Sequence, residues 1–131
     1  MKKVLIIGAS KKPERYSYMA MQRLEEAKHP ILLFNPGLHE IEGREVIQDL
    51  STIQETIDTV TLYVGPKNLE TLINPILKLK PRRIIANPGT ENPDLAQKAK
   101  LAGIEYIEAC TLMMLSPINF KSKYNTKNSN L

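Results

Sequence analysis

The chain has no tryptophan, two Phe, five Tyr and a single cysteine in 131 residues. With so few aromatics, its core has to be assembled from Ile, Leu, Val, Ala and Met. One cysteine, Cys110, excludes an internal disulfide and points to a cytoplasmic setting. Long apolar runs are also missing. Val4–Ile7 is the only uninterrupted apolar stretch before Gly8, and Lys11 and Lys12 follow soon after. A secretory signal needs about 7–15 apolar residues and a membrane span about 20, so neither is expected. No Cys pair, His-x-x-x-His spacing or dense acidic cluster is present, and no metal site is expected. The two histidines, His29 and His39, fall in expected turns, and no catalytic set is expected around them.

A strong charge of one sign is lacking too. The formal net charge is +4, but the last eleven residues hold Lys121, Lys123 and Lys127 and no acid. The rest carries 15 basic against 14 acidic residues. A nucleic-acid surface needs a basic stripe on the folded part, so no nucleic-acid partner is expected. The length and the apolar fraction of 42% suit one globular domain. Residues 1–120 are read as that domain and the polar stretch 121–131 as a disordered tail.

Short apolar runs alternate with helically spaced segments. The expected strands are Val4–Ile7, Ile31–Phe34, Thr59–Val64, Arg83–Ala86 and Glu105–Ile107, with a short one at Gly43–Ile47. Near-continuous apolar runs suit parallel strands covered on both faces. The expected helices are Ser17–Ala27 capped by Ser17, Asn68–Leu79 kinked or broken at Pro75, and Pro93–Ala102 capped by Asn92. The spacing places Met21, Leu24 and Lys28 on one face of the first. Short helical turns are expected at Ser51–Thr56, capped by Ser51, and at Thr111–Leu115 before Pro117. The alternation predicts a three-layer, Rossmann-like α/β fold with a mostly parallel sheet of five or six strands.

In such sheets a ligand sits beyond the carboxyl ends of the strands, which makes the strand exits the candidate site. The first exit is Gly8-Ala9-Ser10, followed by Lys11, Lys12 and Arg15. A glycine turn, backbone N–H groups at a helix start and nearby cations suit phosphates. The dinucleotide fingerprint is absent, since positions 8, 10 and 13 are Gly, Ser and Pro. The second strand exits in Asn35-Pro36-Gly37, where NAD enzymes carry an acid. The later exits are Gly65-Pro66 and Asn87-Pro88-Gly89.

Taken in order, these elements resemble the small CoA-binding-domain proteins. Their fold is like the N-terminal domain of the succinyl-CoA synthetase alpha subunit. The resemblance rests on Gly8-Ala9-Ser10, Pro13-Glu14-Arg15 with Ser17-Tyr18, Asn35-Pro36, Ile41-Glu42-Gly43-Arg44 followed by Val46, Asn87-Pro88-Gly89 with Glu91-Asn92, and Glu108–Leu112. It spans roughly residues 3–120. It implies that coenzyme A or an acyl-CoA is held by its nucleotide end. Gly8, Ala9 and Ser10 would face the pyrophosphate, with Arg15, Tyr16 and Ser17 flanking it. Asn35 and Pro36 would approach the ribose. Val64, Gly65 and Pro66 would line the adenine or the start of the pantetheine arm, and Asn87, Pro88 and Gly89 the path to the thiol. Gly37 stands where many relatives carry Lys. Lys11, Lys12 or His39 would then meet the ribose phosphate, or the preference for CoA over dephospho-CoA would be weak.

The expected function is therefore a non-catalytic, CoA-binding carrier, sensor or partner of a CoA-using enzyme. An NAD(P)-binding redox or regulatory protein and a ligand-free interaction module are the alternatives. Cys110 has two readings, a small buried hydrophobe or a thiol facing that of CoA. Oligomeric state is left open.

Overall fold

The computed structural model describes residues 2–115. The expected tail and the stop at Pro117 lie outside the described residues.

Seven strands form one sheet: β1 (Val4–Ile7), β2 (Ile31–Phe34), β3 (Glu40–Ile41), β4 (Arg44–Ile47), β5 (Thr59–Leu62), β6 (Arg83–Ala86) and β7 (Glu105–Glu108). Their spatial order is β3-β4-β2-β1-β5-β6-β7. Every adjacent pair is parallel except β3 with β4. The strand beyond the expected five or six is β3, whose two residues are too few to show a period. β1 lies at the centre. Val4 pairs with Ile31 on one side and Thr59 on the other, and all four of its residues are fully buried.

Among the described residues five helices cover the sheet: α1 (Tyr16–Glu26), α2 (Pro66–Leu69), α3 (Ile73–Lys78), α4 (Pro93–Leu101) and α5 (Thr111–Met114). Successive residues of a strand face opposite ways, so each strand feeds two cores. Leu5, Ile7, Val60, Leu62 and Ile84 pack against Leu69, Ile73, Ile76 and Leu95 of α2, α3 and α4. On the other face, Val4, Ile6 and Leu33 meet Tyr18, Met21 and Leu24 of α1, and Ile85 meets Met114 of α5. This is the expected three-layer, doubly wound architecture.

Several local expectations are corrected. Arg15 caps α1, not Ser17: its carbonyl accepts the N–H groups of Tyr18 and Met19, so Ser17 lies inside the first turn and is buried. Lys28 is not on the apolar face. It is exposed just past the helix end with φ +68°. The segment expected as one helix over 68–79 begins at Pro66 and is broken by a 3-10 turn at Glu70–Leu72. Pro75 has no N–H and its ring crowds the carbonyl of Thr71, so the break falls one turn before the proline. Asp49, not Ser51, caps the short turn at Leu50–Thr52, accepting from the Ser51 N–H at 2.9 Å.

The Ile41-Glu42-Gly43-Arg44 motif has a structural role. Glu42 and Gly43 both take positive φ, +51° and +84°, as a two-residue hairpin turn with matching twist requires. The turn aims Arg44 at α1, where its guanidinium donates twice to the Glu25 carboxylate, at 2.7 and 2.8 Å. This bond holds the Glu25 pKa below its ordinary value. Tyr18 donates to Glu42 at 2.6 Å. The hairpin is thereby pinned to the first helix at one end of the sheet.

Replacing a core side chain of β1 tests the layered packing. Leu5→Ala should lower unfolding free energy by about 2–5 kcal/mol, read as the urea midpoint at unchanged slope. Leu101→Ala, at a position 81% exposed, should stay within about 0.5 kcal/mol.

Candidate functional site

β1 is the point from which the chain winds outward in both directions, and its carboxyl end opens into a cleft of about 690 Å³. The cleft gathers the exits of β1, β2, β5 and β6 with the start of α1. Gly8, Ala9, Ser10, Lys11 and Lys12 line it from the first loop, and Arg15, Tyr16 and Ser17 from the helix start. Asn35, Val64, Gly65, Pro88 and Gly89 complete the walls among the expected residues.

Four expected residues do not line it. Pro36 sits in the adjoining turn, and Pro66 opens α2. Asn87 points inward. Cys110 is half-buried at the N-terminal cap of α5, two residues after the end of β7. His39 is exposed and also off the cleft wall. Conversely, Gly37, Leu38, Tyr63, Asn68 and Thr90 line the cleft without having been singled out as site residues. Each lies within three residues of an expected one. Tracing each exit one turn further would have found all but Tyr63, which fell inside the expected strand Thr59–Val64 and lies just past the end of β5.

Gly8 is required twice over. Its φ is +92°, and a Cβ there would stand 2.8 Å from the Tyr63 carbonyl oxygen. The exits of β1 and β5 touch at this residue. The Gly8 and Ala9 N–H groups both donate to the Phe34 carbonyl at 3.0 Å. They stitch the loop to β2 and are turned away from any ligand. The N–H groups of Ser10 and Lys11 make no hydrogen bond among the described residues. Those of Tyr16 and Ser17 belong to the first turn of α1, where no intrahelical acceptor exists. An anion would find its backbone donors there.

The charge of the cleft has one sign. Lys11, Lys12 and Arg15 are exposed and join no ion pair among the described residues. Among the described residues no Asp or Glu lines the cleft.

The two Asn-Pro-Gly segments form turns of one sequence and two geometries. The Asn35 carbonyl accepts the Leu38 N–H at 3.3 Å, and the Asn87 carbonyl accepts the Thr90 N–H at 3.0 Å. Gly89 has φ +91°, whereas Gly37 does not take a positive φ. The intervening peptide is therefore flipped. Gly37 N–H turns back to the Asn35 Oδ1 at 2.7 Å, while Gly89 N–H reaches the Glu91 carboxylate at 2.9 Å.

Both asparagine side chains are committed. Asn35 Nδ2 donates to the Ala9 carbonyl at 2.8 Å, clamping the β2 exit to the first loop. Asn87 Nδ2 donates to Thr61 Oγ1 at 2.7 Å and to the Leu62 carbonyl at 2.8 Å, and its Oδ1 accepts the Thr111 N–H at 2.8 Å. Thr61 and Thr111 share a further hydrogen bond at 2.7 Å. Asn87 thus docks α5 onto the sheet rather than walling the cleft. Beside this network the buried Tyr63 hydroxyl makes no hydrogen bond among the described residues, and burial pushes its pKa well above the ordinary tyrosine range.

Fold and cleft together define a doubly wound α/β domain with an electropositive pocket at its switch point, a place where nucleotides bind. The sequence profile of the family described as CoA binding domain matches residues 2–116, and the chain belongs to that family. An uncharacterized protein of Bacillus subtilis (strain 168), YneT, is 26% identical over 102 residues, covering 78% of this chain and 76% of its own. A crystal structure of an uncharacterized protein superposes with a TM-score of 0.84 at 44% identity, covering 88% of this chain and 95% of that one. A hypothetical protein from Pyrococcus horikoshii OT3 gives 0.79 at 28% identity, covering 85% and 79%.

Two substitutions test the cleft floor. Gly8→Ala forces both a strained backbone and a clash with Tyr63, and should cost about 1–3 kcal/mol in urea unfolding. Asn35→Asp sets a carboxylate oxygen against the Ala9 carbonyl, whereas the protonated acid can donate there. Its folded-state pKa should be raised, so its stability deficit against Asn35→Ala should vanish below about pH 4 and appear as pH rises. Thermal melts at several pH values measure the difference.

Proposed function

We propose that this chain is a non-catalytic coenzyme A-binding protein that holds the cofactor by its ADP moiety in the cleft beyond β1. The observation that carries this is the cleft itself. In a CoA binding domain, it joins free backbone donors at the Ser10–Lys11 loop and the α1 start to three unpaired cations. The pyrophosphate lies against those donors and Arg15. Asn35 and Ala9 keep the ribose side of the pocket in shape. Val64 and Gly65 lie alongside the adenosine, and Pro88 and Gly89 line the way out for the pantetheine arm. His39 lies off the wall, so Lys11 and Lys12 take the ribose phosphate that a Lys at position 37 would otherwise meet.

Thermal shift with added ligand tests this. Coenzyme A at 100 times its dissociation constant should add about 2.7 kcal/mol of stability, and NAD should add none. Dephospho-CoA should bind more weakly than CoA, and Lys11→Ala with Lys12→Ala should remove that difference. No shift with CoA, or an equal one with NAD, would sink the reading.

A further inference from the structure

Among the described residues only two large apolar side chains stand exposed, Tyr16 at 68% and Leu101 at 81%. Leu101 ends α4 and faces no cleft. Tyr16 opens α1 and lines the cleft. Tyr16 belongs to neither helix-facing core, and its hydroxyl makes no hydrogen bond among the described residues. The exposed cations Lys11, Lys12 and Arg15 line the same cleft, together with the short Val64 and Gly65. The polar side chains that could read the edge of a base are largely engaged. Asn35 is bonded to Ala9 and Gly37, and the Thr90 hydroxyl donates to the Asn87 carbonyl at 2.8 Å.

We propose that Tyr16 is the platform on which the purine of the bound nucleotide stacks, so that base recognition in this cleft runs through a ring face. This rests on the nucleotide-binding reading above, and moves Tyr16 from a flank of the pyrophosphate to the base. A flat aromatic beside unpaired cations matches the two halves of a nucleotide: the cations take phosphate charge and the ring takes the π-face of the base. Stacking is indifferent to the pattern of donors and acceptors on the base edge, in keeping with a cleft in which Asn35 is already bonded to backbone.

Titration calorimetry of the full chain with coenzyme A, ADP and phosphopantetheine tests this, using wild type, Tyr16→Ala and Tyr16→Phe. One base–aromatic stack corresponds to about a 5- to 150-fold change in affinity. Tyr16→Ala should therefore lose that much toward CoA and ADP and nothing toward phosphopantetheine, which has no base. Tyr16→Phe should bind all three as wild type does. An alanine variant that binds CoA as tightly as wild type overturns the proposal while leaving CoA binding intact. So does one that loses phosphopantetheine equally, since the ring would then be shaping the loop. A wild-type protein that binds none of the three overturns this proposal together with the function it rests on.

Discussion

A side chain on residue 8 would press its Cβ to 2.8 Å from the Tyr63 carbonyl oxygen, and the backbone there turns with φ +92°. That contact lets two neighbouring strands end at the same height and then part. The chain leaving β1 swings toward α1, the chain leaving β5 toward α2, and the gap between them is the cleft. The Phe34 carbonyl, accepting from both Gly8 and Ala9, brings the third strand end into the same knot. Three parallel strands thereby fix the pocket floor with backbone atoms alone. The exposed Lys11, Lys12 and Arg15 are left to supply charge above it.

Around that knot, polar side chains act as fasteners. Asn35 ties the β2 exit to the first loop, and Asn87 ties the β6 exit to β5 and α5. Each asparagine precedes a proline, which has no N–H to offer. In both cases the Asn side chain supplies hydrogen bonds that hold its turn to the neighbouring chain. The Arg44–Glu25 pair performs a similar service at the far end of the sheet, where the two-residue β3 would be a weak edge by itself. Several motifs that mark the family in sequence are thus structural fasteners set next to the site.

Most of the fold was legible because its strands are buried on both faces. Val4–Ile7 reads as a continuous apolar run and Arg83–Ala86 as a near-continuous one, and both are strands with those bounds. The site was legible through the rule that ligands gather at strand exits, which brought thirteen of the seventeen expected residues to one cleft. Asn87 escaped that rule because a strand-exit position does not say which way a side chain turns. Cys110 escaped because β7 lies two strands away from β5. Two caps were misread for local reasons: Arg15 begins α1 through its backbone, with no side-chain cap for a sequence to display, and Asp49 takes the Ser51 N–H two residues on.

By itself the sequence determined the alternation of strand and helix, the parallel sheet and the glycine turn after β1. These follow from local periodicity and from one residue type that tolerates positive φ. Tertiary structure alone decided which donors of that turn remain for an anion, since the Phe34 carbonyl that claims Gly8 and Ala9 lies on another strand. It also decided the two Asn-Pro-Gly turns. The same three residues give Gly89 a positive φ and Gly37 none. One glycine N–H faces Glu91 and the other its own Asn35. A peptide plane can flip either way at small local cost, so the partners that the fold supplies choose between them.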